Sequence, residues 1–478
     1  MAAERLRHEV ATGDLPTISL GNFNWQPVEK RAVLSSRARA AGVPGTAQTP
    51  IAAQRFLDSV ANAKPAAPLT EAEFPLNQLQ LKTFAGTGYN VVWRPRPASK
   101  DPGQREQEIQ PRVKGVRADV LELNLTAETM AFTGSLGDVP NRGSGHAEGP
   151  GKTLGSQRDI MLKGISYIQR VGAFENNLTG SNNHPEPAGI HFEPGVFMLV
   201  PASENPKQPA TLNRMASIPH GTTINAQGPA PTPATLIKGP MKPNDINVIP
   251  KESIVPFDLN NPESRLPTGP NSSFPHLEFP EKASEREELD RLPSFLSKFT
   301  GPGKIITKEV FQDPNQILRD AILGQEIDSF AMFDLATKGG LLGGQTANIG
   351  FLEGTPDQLK AGFGNAHAIK MTVRYWIETV GKTLTVQAKQ TADQIFEMPA
   401  SAAGVLAPKF VVSAAESTKL KSDIKHRFTW TQIQYSQNVT LNFNGLSWPH
   451  VSVATLGDTS TITVTAEDLG GVPIKSVL

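Results

Sequence analysis

The chain contains no cysteine among its 478 residues. That single absence excludes disulfides, thiolate zinc sites, Fe–S ligation, a thiolate-ligated haem and a cysteine nucleophile. Charge of one sign is missing as well: 46 Lys and Arg stand against 46 Asp and Glu. The basic footprint of a nucleic-acid binder, or of a protein drawn to anionic membranes, is therefore not there. No stretch approaches the roughly 18 uninterrupted apolar residues that would span a bilayer. The opening residues MAAERLRHEVATGDLP mix charges and lack an apolar run, so no secretory signal is expected and a cytoplasmic protein is. Catalytic signatures are absent too. There is no His-Glu-x-x-His and no Gly-x-Ser-x-Gly. GHAEGPGKT (145–153) has His146 where a phosphate-binding loop needs its first glycine, and GGLLGG (339–344) lacks a strand–helix frame.

What the chain has in excess is turn chemistry, 41 Gly and 40 Pro, against an average combined share of roughly 12%. These residues concentrate in 134–155 and in 201–303. Between them the hydrophobic period is two. IKMTVRYWIETV (369–380) sets Ile369, Met371, Val373, Tyr375 and Ile377 against Lys370, Thr372, Arg374 and Glu378. TQIQYSQNVTLNF (431–443) alternates in the same way, and VLELNLTAETMAF (120–132) places Leu121, Leu123 and Leu125 on one face, expected to point to the core. Shorter runs follow the pattern: KTFAGTGYNVVWRP, MLKGISYIQRV, GIHFEPGVFMLVPA, TLNRMASIP, HVSVATL and TITVTA. Many strands without alternating helices predict an all-β protein with minor helices, an antiparallel up-and-down barrel of about ten strands. Helices are expected after Thr49-Pro50, over 281–292, and over 313–323, where Asp313 and Pro314 open and Gly324 closes.

The expected organisation is an N-terminal extension wrapping the barrel (1–75), a first barrel half (76–230), a Pro/Gly-rich coil and helical insertion (231–330), and a second barrel half (331–478).

Histidine on strands is the remaining chemistry. Neutral imidazole is a common ligand of metal and haem iron and also a hydrogen-bonding core residue. His450, in SWPHVSVATL, shares its strand face with Trp448, Ser452, Ala454 and Leu456, small residues beside the imidazole and an aromatic wall behind it. His220, in SIPHGTTINAQG, sits at a strand end with Arg214 upstream; the pair reads either as a gating histidine with a cation or as a turn histidine bonded to backbone. His191 and Glu193 lie in GIHFEPG, the glutamate being either a paired interior charge or a rim residue, and Arg94 closes a strand after Trp93. A strand-end arginine of this kind pairs with carboxylates or is simply solvated.

The succession FAGTGYNVVWRP, ISYIQRV, GIHFEPGVFMLVP and RMASIPHGTTINAQG, continued by AIKMTVRYWIETV, FTWTQIQYSQNV and SWPHVSVATL, resembles a haem-binding, peroxidase-related family. Its members have nitrobindin-like, fatty-acid-binding-protein-like (lipocalin-like) barrels. The likeness spans 76–230 and 345–456, while the tryptophan motif of the first nitrobindin strand stands here as GTGYNVVW. The resemblance implies haem b, an iron ligand at His450, and a pocket to which Trp448, His191 and Arg94 contribute. It implies peroxidase-like, diatomic-gas or peroxynitrite chemistry with His220 and Arg214 as the catalytic pair. Expected partners are haem and a small ligand or peroxide, with no nucleic acid and no membrane. The alternative is a non-enzymatic carrier of an apolar ligand in the same barrel.

Overall fold

The structure, a computed structural model, describes residues 19–20, 23–24, 66–94, 120–141, 160–173, 188–204, 207–218, 221–246, 310, 313–337, 344–353, 367–398, 405–443 and 446–470. By internal contacts the chain divides into Met1–Pro65 and Ala66–Leu478. The first unit contributes one described feature, a hairpin of Ser19–Leu20 and Phe23–Asn24. The helices expected after Thr49-Pro50 and over 281–292 lie outside the described residues, as does most of the expected wrapping extension.

The second unit is built on ten strands: β1 (Thr83–Arg94), β2 (Val120–Ser135), β3 (Ile160–Ala173), β4 (Ala188–Val200), β5 (Thr211–Ile218), β6 (Thr222–Pro229), β7 (Ile327–Ala336), β8 (His367–Val386), β9 (Ile424–Phe443) and β10 (Leu446–Asp458). Each strand pairs antiparallel with the next in the chain, β10 returns to β1, and β6 meets β7 at Gln227 opposite Ala336. The result is the expected closed, up-and-down, ten-stranded antiparallel barrel. Closure leaves no exposed sheet edge in the ring, which is how such a sheet avoids edge-to-edge pairing.

Side chains of period two fill one end of the barrel. Phe84, Met130, Phe132, Phe197, Phe333 and Ile433 meet in a buried cluster, and Met371, Val373, Tyr375 and Ile377 of β8 point into it as their alternation predicts. The chain just before β1 plugs this end. Thr70 caps a short turn at Glu71–Glu73 through its hydroxyl and Glu73's carboxylate, and α1 (Leu76–Leu79) then inserts Leu76 and Leu79 beside Leu69 and Phe74. The void left between Leu76, Phe132, Phe197 and Phe333 measures about 10 Å³, at the lower limit for one water. This end is a packed core.

The wall formed by β8, β9, β10 and β1 is buried on its outer side as well. Tyr89, Val91, Trp376, Phe428, Trp430, Val451 and Val453 lie beneath a second layer. That layer comprises α2 (Asn315–Ala321), Met241, Ile246 and a small sheet of Gln394–Glu397, Lys409–Val412 and Thr461–Thr463. The helix is shorter than expected and begins one residue later, at Asn315 after Pro314, with Asp313 Oδ1 accepting the Asn315 N–H at 3.1 Å, and Gly324 follows its end at φ +80°. The same outer layer touches one end of β2 and corrects the reading of that strand. Leu125, the last of the three leucines expected to face the core, packs against the outer cluster, while Thr126, Glu128, Met130 and Phe132 are buried on the opposite parity. Farther along β2 the outer residues Thr129, Ala131 and Thr133 are exposed, so the inner face is marked there by Met130 and Phe132 and not by the leucine run.

Candidate functional site

Midway along the barrel the packing turns from apolar to polar. On β4 the alternation that buries Phe197 also brings Gly195, Glu193 and His191 inward. Gly195 is required there: a Cβ would stand 2.6 Å from the Tyr167 ring. With hydrogen in that place, Tyr167 lies across β4 and donates its hydroxyl to Glu193 Oε1. From β5 Arg214 approaches the same oxygen, with Nε at 3.0 Å and Nη2 at 2.6 Å. Its other contacts are Tyr167 Oη (2.9 Å), Tyr375 Oη (2.8 Å), Gln437 Oε1 (2.7 Å) and Gln169 Oε1 (3.4 Å). Every nitrogen of the guanidinium is engaged, and both Arg214 and Glu193 are buried. Burial opposes ionisation of Glu193, but the Arg214 charge and hydrogen bonds from His191 and Tyr167 outweigh it and hold the carboxyl at about 2. Breaking such a buried pair on one side costs far more than the pair contributes net.

A second carboxyl lies in the same layer under opposite conditions. Glu128 of β2 receives the Thr126 hydroxyl (2.8 Å), the Tyr435 hydroxyl (2.5 Å) and the Gln169 amide (3.3 Å), three neutral donors. Burial raises its pKa above the ordinary range, and these hydrogen bonds offset only part of the rise. Gly88 of β1 makes room for it, because a Cβ there would stand 2.7 Å from both Glu128 Oε1 and Thr126 Oγ1. Gln169 bridges the two carboxyl sites, donating to Glu128 and accepting from Arg214. Burial also pushes up the hydroxyls of Tyr167, Tyr375 and Tyr435, Tyr375 to about 12. All three therefore stay protonated; Tyr167 and Tyr435 donate to the carboxyls, and Tyr375 accepts from Arg214.

Beyond this layer, away from the plug, stand two imidazoles. His450 of β10 faces Val92 of β1 in register and lies one interior position from Ser452, which faces Asn90. Asn90 Nδ2 approaches His450 Nε2 at 2.7 Å. Asn90 is buried, and its Oδ1 has no hydrogen-bond partner. The expected sharing of a face by His450, Ser452, Ala454 and Leu456 is the register observed, Ala454 and Leu456 ending in the packed core. His191 of β4 lies with Nε2 3.2 Å from Glu193 Oε2, its side chain 22% exposed. β4 and β10 are four strands apart in the ring of ten, so the two histidines project from nearly opposite walls.

The other sequence candidates divide differently. Arg214 is at the centre of the barrel rather than near a rim, fully committed to Glu193, three side-chain oxygens of β3 and β8, and Gln437. His220 lies outside the described residues, and so do the side chains of Arg94 on β1 and Trp448 on β10. Sequence reasoning missed Glu128, Tyr167, Gln169, Tyr375, Tyr435, Gln437 and Asn90. The signal for five of them was present: on β3, β8 and β9 the polar groups fall on the parity of bulky apolar residues, as Gln437 does between Tyr435 and Val439.

Among the described residues no group of three or more His, Asp and Glu side chains gathers where protein ligands alone would hold a metal ion, and no helix is long and apolar enough to cross a membrane. The fold and this layer define a closed β-barrel with a charged, hydrogen-bonded interior. Comparison with protein-family models, with curated proteins and with solved structures finds no match.

Proposed function

We propose that this cytoplasmic barrel binds haem b in the half away from the plug, with His450 as the axial iron ligand, for peroxide, peroxynitrite or diatomic-gas chemistry. The observation that carries the reading is the placement of His450: an inward-facing, half-buried imidazole whose Nε2 accepts the Asn90 amide. An acceptor nitrogen is the tautomer a metal needs, with its lone pair on Nε2 and its proton on Nδ1. The same contact imposes a condition, because that lone pair is engaged by Asn90. Capture of iron requires the Asn90 amide to turn away, and its unpartnered Oδ1 marks a side chain with hydrogen-bonding capacity unused in the present arrangement.

Haem held through His450 would supply iron for small-ligand binding and redox chemistry. The chain's own contribution is different. Asn90 and Ser452 are the neighbours of His450 on the inner face, small and polar where the plugged half is aromatic. The Arg214–Glu193 pair and the three tyrosines keep the floor of this half rigid and hydrogen-bonded. The alternative, an apolar carrier, would have to hold its ligand outside the plugged half, whose void is about 10 Å³.

Visible absorption tests the proposal. Hemin added to the purified protein should give a Soret band that is lost or strongly shifted in His450→Ala. A protein that stays colourless after hemin, or a band indifferent to His450→Ala, overturns it.

A further inference from the structure

The ring of strands is least continuous between β6 and β8. β7 faces β6 at one pair, Gln227 and Ala336, and then ends. One residue on, Thr337 still ties the chain to β8: its N–H donates to the Met371 carbonyl at 2.9 Å, and its Oγ1 accepts the Met371 N–H at 2.8 Å. Beyond that point a short strand, Gln345–Asn348, takes the place beside β6. Thr222, Thr223, Ile224 and Asn225 pair with it in an antiparallel ladder. The Ile349 N–H donates to the Gly221 carbonyl at 2.8 Å. Gly344 passes so close to Asn225 that a Cβ would stand 1.5 Å from its carbonyl oxygen. On this side the strand is part of β6.

On the other side its bond to β8 is a side chain. Asn348 Oδ1 accepts the Ala368 N–H at 3.0 Å, and Nδ2 donates to the Ala368 carbonyl at 3.0 Å. The Thr222 hydroxyl donates to the same Oδ1 at 2.8 Å and holds the amide in place. Among the described residues no backbone ladder joins this strand to β8. The half-buried Asn348 amide copies a ladder rung. It can rotate away about its own torsions with the backbone pairs of β6 and of β8 left intact. Openings of low free energy arise where so few contacts hold a segment. The seam also lies level with the proposed site. His450 faces Val439, Val439 faces Met371, and Met371 is the residue bonded to Thr337. Thr346 and Asn348 stand opposite Ile224 and Thr222, both buried, and Ile224 belongs to the inner cluster.

We propose that the seam between Gln345–Asn348 and β8 is the entrance to the half of the barrel away from the plug, with Asn348 as its latch; the ligand assigned to it, haem, rests on the reading above. On opening, the Asn348 amide leaves Ala368, the strand moves with β6, and the inner face at His450 is reached from the side. On closing, the Ala368 N–H and carbonyl regain their partners. A latch shut in both free and loaded protein slows entry and exit alike, which separates it from a contact that only adds stability.

Two measurements on the full chain test this. In haem-free protein, Asn348→Ala should speed amide hydrogen exchange at Thr337 and Met371 as well as Ala368, by about 10-fold, the scale of a hydrogen bond's net contribution. Tyr375, farther along β8, should be unchanged. In stopped-flow absorbance, hemin association and dissociation should both rise by about the same 10-fold factor, leaving the affinity as in wild type. Asn348→Asp keeps the acceptor and loses the donor to the Ala368 carbonyl; it should show the same pattern, and serves if the alanine variant fails to fold. Acceleration confined to Ala368, hemin rates equal to wild type, or faster release without faster uptake overturns the proposal while leaving haem binding intact. Absence of any Soret band brings down the haem reading instead, and the exchange pattern then decides whether the seam opens.

Discussion

Replacing Glu193 by Gln removes the negative charge that neutralises Arg214 in the middle of the barrel and leaves the cation buried. The size of the effect follows from two routes. Truncating one partner of a buried, hydrogen-bonded ion pair typically costs about 3–5 kcal/mol. Independently, the Glu193 carboxyl falls from 4.5 to about 2 on folding, and at about 1.4 kcal/mol per pKa unit this is about 3 kcal/mol of linkage. The two figures agree. The pH dependence has a definite sign. A depressed folded pKa stabilises the protein above the unfolded value near 4.5 and ceases to do so as pH falls through about 2. The difference between wild type and Glu193→Gln should therefore be constant from pH 7 to 5 and shrink steadily below that. Urea unfolding of both proteins at several pH values, read as midpoint times slope, checks this. A variant within about 1 kcal/mol of wild type near neutrality, well below the cost of breaking a buried pair, would refute the reasoning, as would a difference that persists undiminished at pH 2.

Other consequences are as specific. Glu378, on the outer face of β8, is buried with one oxygen on the Gln432 amide at 2.6 Å and the other unpartnered; burial lifts it to about 8. A raised folded pKa stabilises below 4.5 and is lost as pH rises through 8, so Glu378→Gln should match wild type at pH 4 and exceed it by up to about 3 kcal/mol at pH 7 in urea unfolding. Leu76→Ala, in the plug, should cost about 2–5 kcal/mol in the same assay by leaving a cavity in a filled core. Gly195→Ala places a methyl 2.6 Å from the Tyr167 ring, and loss of the Tyr167–Glu193 contact should appear in the tyrosine ultraviolet difference spectrum. Asn90→Ala should accelerate hemin capture in stopped-flow absorbance by clearing Nε2 of His450.

The barrel itself was legible because its strands alternate. Met371 to Ile377 and Ile433 to Val439 point inward on the parity their hydrophobicity predicts. Legibility stopped where a second layer covers the wall. Trp430, Val451 and Val453 are as buried or nearly as buried outside as Phe132 and Leu456 are inside, and apolar residues on both parities of one strand erase the alternation. β7 was passed over for the related reason that IDSFAMFDLA carries its apolar residues on mixed parities.

Local pattern, then, determined most of the strands and the inward face of His450, since each depends on neighbours two to four residues apart in the chain, and composition alone excluded thiolate chemistry. The polar layer depended on closure of the ring. Arg214 reaches Gln169, Glu193, Tyr375 and Gln437 across as many as 223 residues of sequence, and no local rule connects them. The charge itself is paired by Glu193 on the neighbouring strand, and the far wall completes its hydrogen bonding through Tyr375 and Gln437. That became visible only when β10 met β1 and β6 met β7.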